Sequence, residues 1–300
     1  MRIRFAKLLL MGIAACTLAC RRSADNVSDV YDAFPDFGSA AEAVVQGYNG
    51  HIMEPFITRD GQRLYFNNLN SQPENTNLHW ATRTGEGVFQ YQGLLRGVNT
   101  PALDAVPSVD GCNRFYFIST RSYFQNLRTI YVGTLMQDSV AGVRSLAGSV
   151  VPAAAGTLMF DAEITHDCNL LYYSPGLFAG GSVPTSADIQ IAQRVNDTTF
   201  AALPASAAVL QNVNSTALEY APCLSVDQRE LYFTRLGTMP GSVPQIYRTA
   251  RATQGEPFAA PRLVAAATGF VEAATITGDG RTLYFHKLVN GQYRLYYAKR

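Results

Sequence analysis

Five copies of one phrase run through this chain, and their spacing limits what it can fold into. They read EPFITRDGQRLYF (54–66), DAVPSVDGCNRFYF (104–117), DAEITHDCNLLYY (161–173), APCLSVDQRELYF (221–233) and AATITGDGRTLYF (273–285). The turn aspartates Asp60, Asp110, Asp167, Asp227 and Asp279 follow one another at steps of 50, 57, 60 and 52 residues. Self-similarity at such a period marks a stacked or closed array of supersecondary units. In each copy an apolar run leads to an Asp-centred turn and then to a second run such as Leu64-Tyr65-Phe66. Asp-Gly between apolar runs signals a hairpin, because both residues tolerate the positive φ of tight turns. Copies three and four put Cys168 and Gln228 in the glycine's place, so those turns close with less help. The second run is apolar on both faces, which implies a strand covered from both sides.

A third run follows each hairpin, for example Leu78-His79-Trp80-Ala81 or Ile246-Tyr247-Arg248-Thr249. A fourth, vaguer segment comes after it, as at Phe200 to Leu210 and Phe258 to Val264. Four strands in such a span are the content of a propeller blade. The expected fold is therefore all-β: a five-bladed β-propeller of four-stranded blades, with repeats near 48–102, 103–158, 159–216, 217–268 and 269–300. The last copy stops one strand short at Arg300, and residues 33–46 (AFPDFGSAAEAVVQ) read as the strand that completes it. A sixth blade would need residues the chain does not have. Composition agrees, with 47% hydrophobic and 16% charged residues and aromatics that are mostly Tyr and Phe. Such residues suit a pleated, half-buried surface.

The first twenty residues stand apart. Arg2, Arg4 and Lys7 precede the apolar run Leu8 to Ala19, and Cys20 and Arg21-Arg22-Ser23 follow it. That run is too short to span a bilayer and reads as a secretory signal. Ala19-Cys20 resembles the lipobox of bacterial lipoproteins, whose cysteine is lipid-modified and becomes the mature N-terminus. Ile13-Ala14-Ala15-Cys16 fits the box too; Cys20 is preferred because cutting there uses the whole apolar run. The expected organisation is a signal peptide at 1–20, a tether at 21–30 and the propeller at 31–300. The resemblance implies a lipid-anchored protein of the bacterial cell envelope, at the outer membrane facing the periplasm or the surface. Membrane contact would run through the anchor alone. Losing Arg2, Arg4 and Lys7 takes the formal charge from +1 to −2, which offers nucleic acid no basic face.

The repeats resemble the WD-like propeller repeat of TolB-type proteins: a strand, then Ser-Pro-Asp-Gly, then a Leu-Tyr-Phe-like strand. Thr58-Arg59-Asp60-Gly61, Ser108-Val109-Asp110-Gly111, Ser225-Val226-Asp227 and Thr277-Gly278-Asp279-Gly280 match the turn. Leu64-Tyr65-Phe66, Leu231-Tyr232-Phe233 and Leu283-Tyr284-Phe285 match the strand. The likeness covers nearly all of residues 50–300. TolB carries a further N-terminal domain with no counterpart here, so the resemblance implies the propeller and not a role in the Tol system.

Chemistry is sought first at the channel, which the inner strands line. Glu54, Asp104, Asp161, Glu219 and Glu272 lie six to eight residues before the turn aspartates and are expected to approach one rim. Such a ring could hold a divalent cation, with Ca2+ the one cofactor considered, or supply the acid and base of a glycan hydrolase. The structural reading is preferred, because Arg121, Arg235 and Lys287 sit roughly opposite Asp104, Glu219 and Glu272 and cross-strand ion pairs carry no catalysis. The loops between second and third strands share that rim, and Tyr123, Phe124, Leu177, Phe178 and Met239 either form a partner patch on them or fold back. His51, His79, His166 and His286 show no metal-site spacing, and there is no GxSxG, phosphate loop or dinucleotide fingerprint. Trp80 is assigned to packing. Among Cys112, Cys168 and Cys223 an odd count leaves at least one unpaired, with a buried free Cys223 the preferred case.

These readings converge on a non-enzymatic module that presents its loop-bearing rim to an envelope protein or glycan. A hydrolase using the channel carboxylates is the rival, and a structural subunit of an envelope complex is a third possibility.

Overall fold

The computed structural model describes residues 29–70 and 75–300. The leader, both lipidation candidates Cys16 and Cys20, and residues 21–28 of the tether lie outside the described residues. Five sheets form the five blades, each strand antiparallel to the next. Blade 1 comprises Met53–Ile57, Arg63–Asn67, Leu78–Gly85 and Val88–Leu94, and blade 2 comprises Asp104–Val109, Arg114–Ser119, Ile130–Leu135 and Val140–Ser145. Blade 3 is built from Thr157–Ile164, Leu170–Leu177, Gln190–Arg194 and Thr199–Ala202, and blade 4 from Leu218–Leu224, Glu230–Leu236, Gln245–Ala250 and Arg262–Leu263. Blade 5 has Val271–Ile276, Thr282–Val289 and Gln292–Lys299, with Ala41–Glu42 as its fourth strand.

That fourth strand is the expected closure, and the N-terminal segment does more than complete a blade. Ala41 pairs with Tyr297 and Glu42 with Tyr296 in blade 5. Two residues later, Val44–Gln46 runs parallel to the outer strand of blade 1, Val44 opposite Val88. Residues 33–40 are not strand, contrary to expectation. Val30–Ala33 is a short 3-10 helix on blade 4, where Tyr31 Oη donates to the Ala260 carbonyl at 2.7 Å. Arg248 then takes the carbonyls of Phe34 (3.1 Å) and Pro35 (3.0 Å). Carbonyls held by a guanidinium, with a proline that has no N–H, leave little for a ladder. In blade 3 only Thr199–Ala202 of the expected Phe200–Leu210 segment is strand; Ser206–Val209 turns into a short helix that buries Val209 and Leu210.

The Leu-Tyr-Phe triplet explains how blades stack. Side chains alternate along a strand, so Leu64 and Phe66 pack with Tyr284 and Leu295 of blade 5, while Tyr65 packs with Phe115 and Phe117 of blade 2. The five tyrosines Tyr65, Tyr116, Tyr172, Tyr232 and Tyr284 are all buried. Burying each ring stabilises the ring of blades by about 2–3 kcal/mol.

Four of the five turn aspartates behave alike. Asp60, Asp167, Asp227 and Asp279 each accept the hydroxyl of the Ser or Thr two residues earlier and the N–H two residues later. Cys168 (φ +67) and Gln228 (φ +56) adopt the left-handed backbone that Gly61 and Gly280 adopt at φ +71. Asp110 is not their counterpart. Its N–H donates to the Arg114 carbonyl as that of Thr58 donates to Arg63, so it occupies the Ser/Thr position of a turn one residue shorter. Ser108 consequently leaves the turn and faces the channel. Cys112 in that turn is bonded to Cys168 in the next blade's turn, with α-carbons 6.3 Å apart, and Cys223 is free and buried.

Candidate functional site

Register separates the five predicted acids into two groups, Glu272 lying one residue beyond the level of Asp104 and Glu219, and Glu54 and Asp161 two. Asp104 and Glu219 stand one step behind the channel-facing row and point between blades. Asp104 accepts Arg121 Nη2 at 2.5 Å together with the Thr100 N–H (2.6 Å) and hydroxyl (2.7 Å). Glu219 accepts Arg235 Nε at 2.7 Å together with the Ser215 N–H (3.1 Å) and hydroxyl (2.5 Å). Each guanidinium also lies over two rings, Phe117 and Tyr131 for Arg121, Phe233 and Tyr247 for Arg235. These are the cross-strand ion pairs the sequence suggests, placed in repeated cages away from the channel. The third suggested pair does not form. Lys287 is opposite Val271, and Glu272 is opposite His286.

Glu54, Asp161 and Glu272 form the second group. Every inner strand carries a bulge near its start, and Glu54 (φ +47), Val106 (+52), Ala221 (+49) and Ala273 (+52) sit there at positive φ. Such conformations cost about 1–3 kcal/mol each for non-glycine residues. The freed N–H groups are caught by neighbouring blades: Glu54 by His286 Nδ1 (3.1 Å), Val106 by Asn67 Oδ1 (3.0 Å) and Ala273 by Thr234 Oγ1 (3.1 Å). All three acceptors directly follow a Leu-Tyr-Phe triplet. Blade 2 has Ile118 there, and the blade 3 bulge has no positive-φ residue to catch. Blade 3 has Ser174 there, but Asp161 Oδ2 accepts the Ala221 N–H instead, at 3.2 Å.

His286 therefore holds two groups at once. Its Nδ1 accepts the Glu54 N–H, so the ring proton faces Glu272 Oε2 at 3.1 Å. Tyr220 Oη donates to the other Glu272 oxygen at 2.5 Å, and the rings of Phe160 and Tyr293 flank Tyr220 and His286 at 5.7 and 5.3 Å. Burial pushes the Glu54 carboxyl up to about 8; His286 pulls it down, and Asp161 and Glu272 push it further up. Asp161 is raised well above the carboxylate range, chiefly by burial and against the pull of the Ala221 N–H. Burial opposes the charged imidazole of His286, but its bond to Glu272 and the carboxylates Glu54 and Glu272 raise it overall. Titratable neighbours with separated pKa values are the raw material of acid–base chemistry.

The space around them is small. The space that Glu54 and Asp161 share with Pro55, Val106, Pro107, Ala162, Pro222 and Ala274 measures about 30 Å3, the room of about one water. Further down, Arg59 crosses to Glu163 (2.6 Å) and to the Ile276 carbonyl (2.7 Å), while Ser108 Oγ donates to Glu163 at 2.8 Å. Beside this plug, burial first and the Glu163 charge second push the Cys223 thiol up to about 12. Among the described residues, no three of Glu54, Asp161, Glu272 and His286 bring ligand atoms within 4.8 Å of one another.

Sequence reasoning missed His286, Tyr220, Arg59 and Glu163. Counting one bulge residue per inner strand places position 286 opposite Glu272 and position 220 in the channel row, so the signal was present for the first two. Of the rim aromatics, Tyr123 folds back, its hydroxyl accepting the Gly156 N–H (2.8 Å) and donating to the Thr157 carbonyl (3.1 Å). Phe124 and Met239 are 95% and 74% exposed on the loops of blades 2 and 4, and Leu177 is also exposed, whereas Phe178 packs edge-on against Phe160. Trp80 is half-buried among the side chains between blades 1 and 2.

No family model and no curated protein sequence matches this chain. Similarity is found among solved structures. A glycoside hydrolase aligns at TM-score 0.61 and 10% identity over 90% of this chain and 93% of its own. An endo-arabinase from Bacteroides thetaiotaomicron aligns at TM-score 0.57 and 13% identity over 87% and 97%. TolB from Acinetobacter baumannii aligns at TM-score 0.44 and 14% identity over 84% of this chain and 55% of its own, so the chain spans about half of that protein's length. At such identities the likeness establishes the five-bladed propeller fold and nothing finer.

Proposed function

We propose that this chain is a cell-envelope lipoprotein, anchored through Cys20, whose propeller is a non-enzymatic module that binds a protein or glycan with its loop-bearing rim. The observation that carries the reading is the narrowness of the channel beside Glu54 and Asp161. A hydrolase must seat a sugar ring between its carboxylates with room for a water, and about 30 Å3 between prolines and alanines holds no sugar. Exposed apolar side chains on the rim, Phe124 on blade 2, Val183 on blade 3 and Met239 on blade 4, offer contact area on a rigid scaffold instead.

The experiment is retention of envelope proteins and glycans by the immobilised protein, with and without the double substitution Phe124→Ser and Met239→Ser. Loss of at least about 2 kcal/mol of affinity is expected if these side chains are central contacts. Unchanged retention by the double variant overturns the rim assignment.

The hydrolase keeps a claim through one arrangement, Glu54, Asp161 and Glu272 converging from three blades beside Tyr220. Turnover of arabinan or chromogenic glycosides that Glu54→Gln abolishes would establish it. A neutral residue at 54 with no activity to lose supports the binding module.

A further inference from the structure

Blade 5 repeats the ion-pair cage of blade 4 with its anion removed. The two blades superpose by a shift of 52 residues: Glu219 opposite Arg235 becomes Val271 opposite Lys287. The aromatic pair is kept, Phe233–Tyr247 becoming Phe285–Tyr296, stacked at 6.0 and 6.2 Å. Everything that served the carboxylate is gone. Ser215, which donates twice to Glu219, becomes Ala267, and Asn214, which ties the loop to the Ile189 N–H and carbonyl, becomes Ala266. Blade 2 repeats the full cage with Asp104, Thr100 and Asn99. Blades 1 and 3 carry neither charge, with Ile52 and Met159 at the acid's position. Among the five, blade 5 alone keeps a cation without its acid.

The place of the lost carboxylate is packed, with Val271 and Ala267 buried in the core. Beside it lies a cavity of about 520 Å3, lined by Phe37, Ala40, Ala266, Phe285, Tyr296 and the unpaired Lys287. Lys287 Nζ lies 5.2 Å from the centre of the Tyr296 ring, and among the described residues no carboxylate comes within 4.0 Å of it. The outer wall is fixed in place: Phe37 is held edge-on by Tyr232 at 6.0 Å and capped by the Arg300 guanidinium at 4.8 Å. Ser39 and Thr268 bring hydroxyls to the mouth.

We propose that this cavity binds a small organic carboxylate, whose anionic group pairs with Lys287 from the cavity side, as Glu219 pairs with Arg235 in blade 4, while its ring lies against Phe37 and Tyr296. A ligand carboxylate on an ammonium, with an apolar face on aromatic walls, uses the interactions that blades 2 and 4 satisfy internally. The volume lies in the range of small-molecule sites. The cavity shares no lining residue with the channel and none with Phe124, Val183 and Met239, so its failure leaves the binding-module reading untouched.

The experiment is a ligand-observed NMR titration of the full chain in detergent with sodium galacturonate and sodium benzoate, against methyl galactoside and benzamide as neutral counterparts. At least one carboxylate binds, its neutral counterpart at least about tenfold more weakly. Tighter galacturonate assigns an acidic sugar, and tighter benzoate an aromatic acid. Lys287→Met weakens binding by about tenfold or more, and Lys287→Arg stays within about threefold of the parent. Val271→Glu restores the internal anion and abolishes binding; if it fails to fold, the two Lys287 variants decide. Equal binding of charged and neutral probes, no binding of either carboxylate, or an unchanged Lys287→Met variant overturns the proposal.

Discussion

Asp104 and Glu219 at the blade edges and Glu54, Asp161 and Glu272 at the channel mouth come from the same stretch of the same repeat, yet they live in opposite electrostatic conditions. The edge acids are buried against guanidinium groups, with a serine or threonine donating from four residues away. The channel acids have no arginine. A histidine, a tyrosine, an asparagine and backbone N–H groups are their donors. Alternation turns Glu272, one residue on, to the other face, and the bulge does the same for Glu54 and Asp161, two residues on. Glu54, which burial and two neighbouring carboxylates push up to about 8, takes up a proton.

Breaking the edge cages has the largest expected effect. Glu219→Ala leaves Arg235 between two rings without its counter-ion, and a destabilisation of about 3 kcal/mol is expected in urea unfolding. Glu54→Gln is expected to do the reverse. The Glu54 carboxyl is raised to about 8 in the fold, so its contribution is fully present below its ordinary value and is lost as pH rises toward 8. Stability of the parent should fall by about 3 kcal/mol between pH 5 and 8, and Glu54→Gln should flatten that slope. A parent with no such slope ends the contrast between the two groups.

Asp161 sharpens the comparison further. Asp161→Asn keeps an acceptor for the Ala221 N–H and should be nearly neutral, whereas Asp161→Ala orphans that N–H at a cost of about 1–2 kcal/mol by thermal unfolding. The smallest effect concerns calcium. The channel acids are not gathered as ligands, so millimolar Ca2+ should move the melting temperature by less than about 1 °C. A larger rise would show that the acids close around a cation and are not merely protonated.

Much of this was legible in the chain itself. Five phrases ending in Leu-Tyr-Phe or a close variant of it specify five blades, because a strand apolar on both faces must be covered on both. The short last copy pointed to closure by residues 33–46, of which Ala41–Glu42 make it, and the pair Glu219–Arg235 follows from antiparallel register. The bulges were not legible. They arise at Glu54, Val106, Ala221 and Ala273, none of them a glycine, and each shifts the count by one. The uncounted shift is why Lys287 was paired with Glu272, and a turn one residue shorter is why Asp110 was aligned with turn residues it does not match.

Sequence alone determined the number of blades, the closure of the ring and the residues that stack between blades, since these depend on which side chains are apolar and at what period. Tertiary structure alone decided which acids meet a cation and which meet the channel, that Cys112 meets Cys168, and that Lys287 faces a cavity. Those outcomes rest on one-residue offsets between strands far apart in the chain, and periodicity is blind to an offset until the strands are side by side.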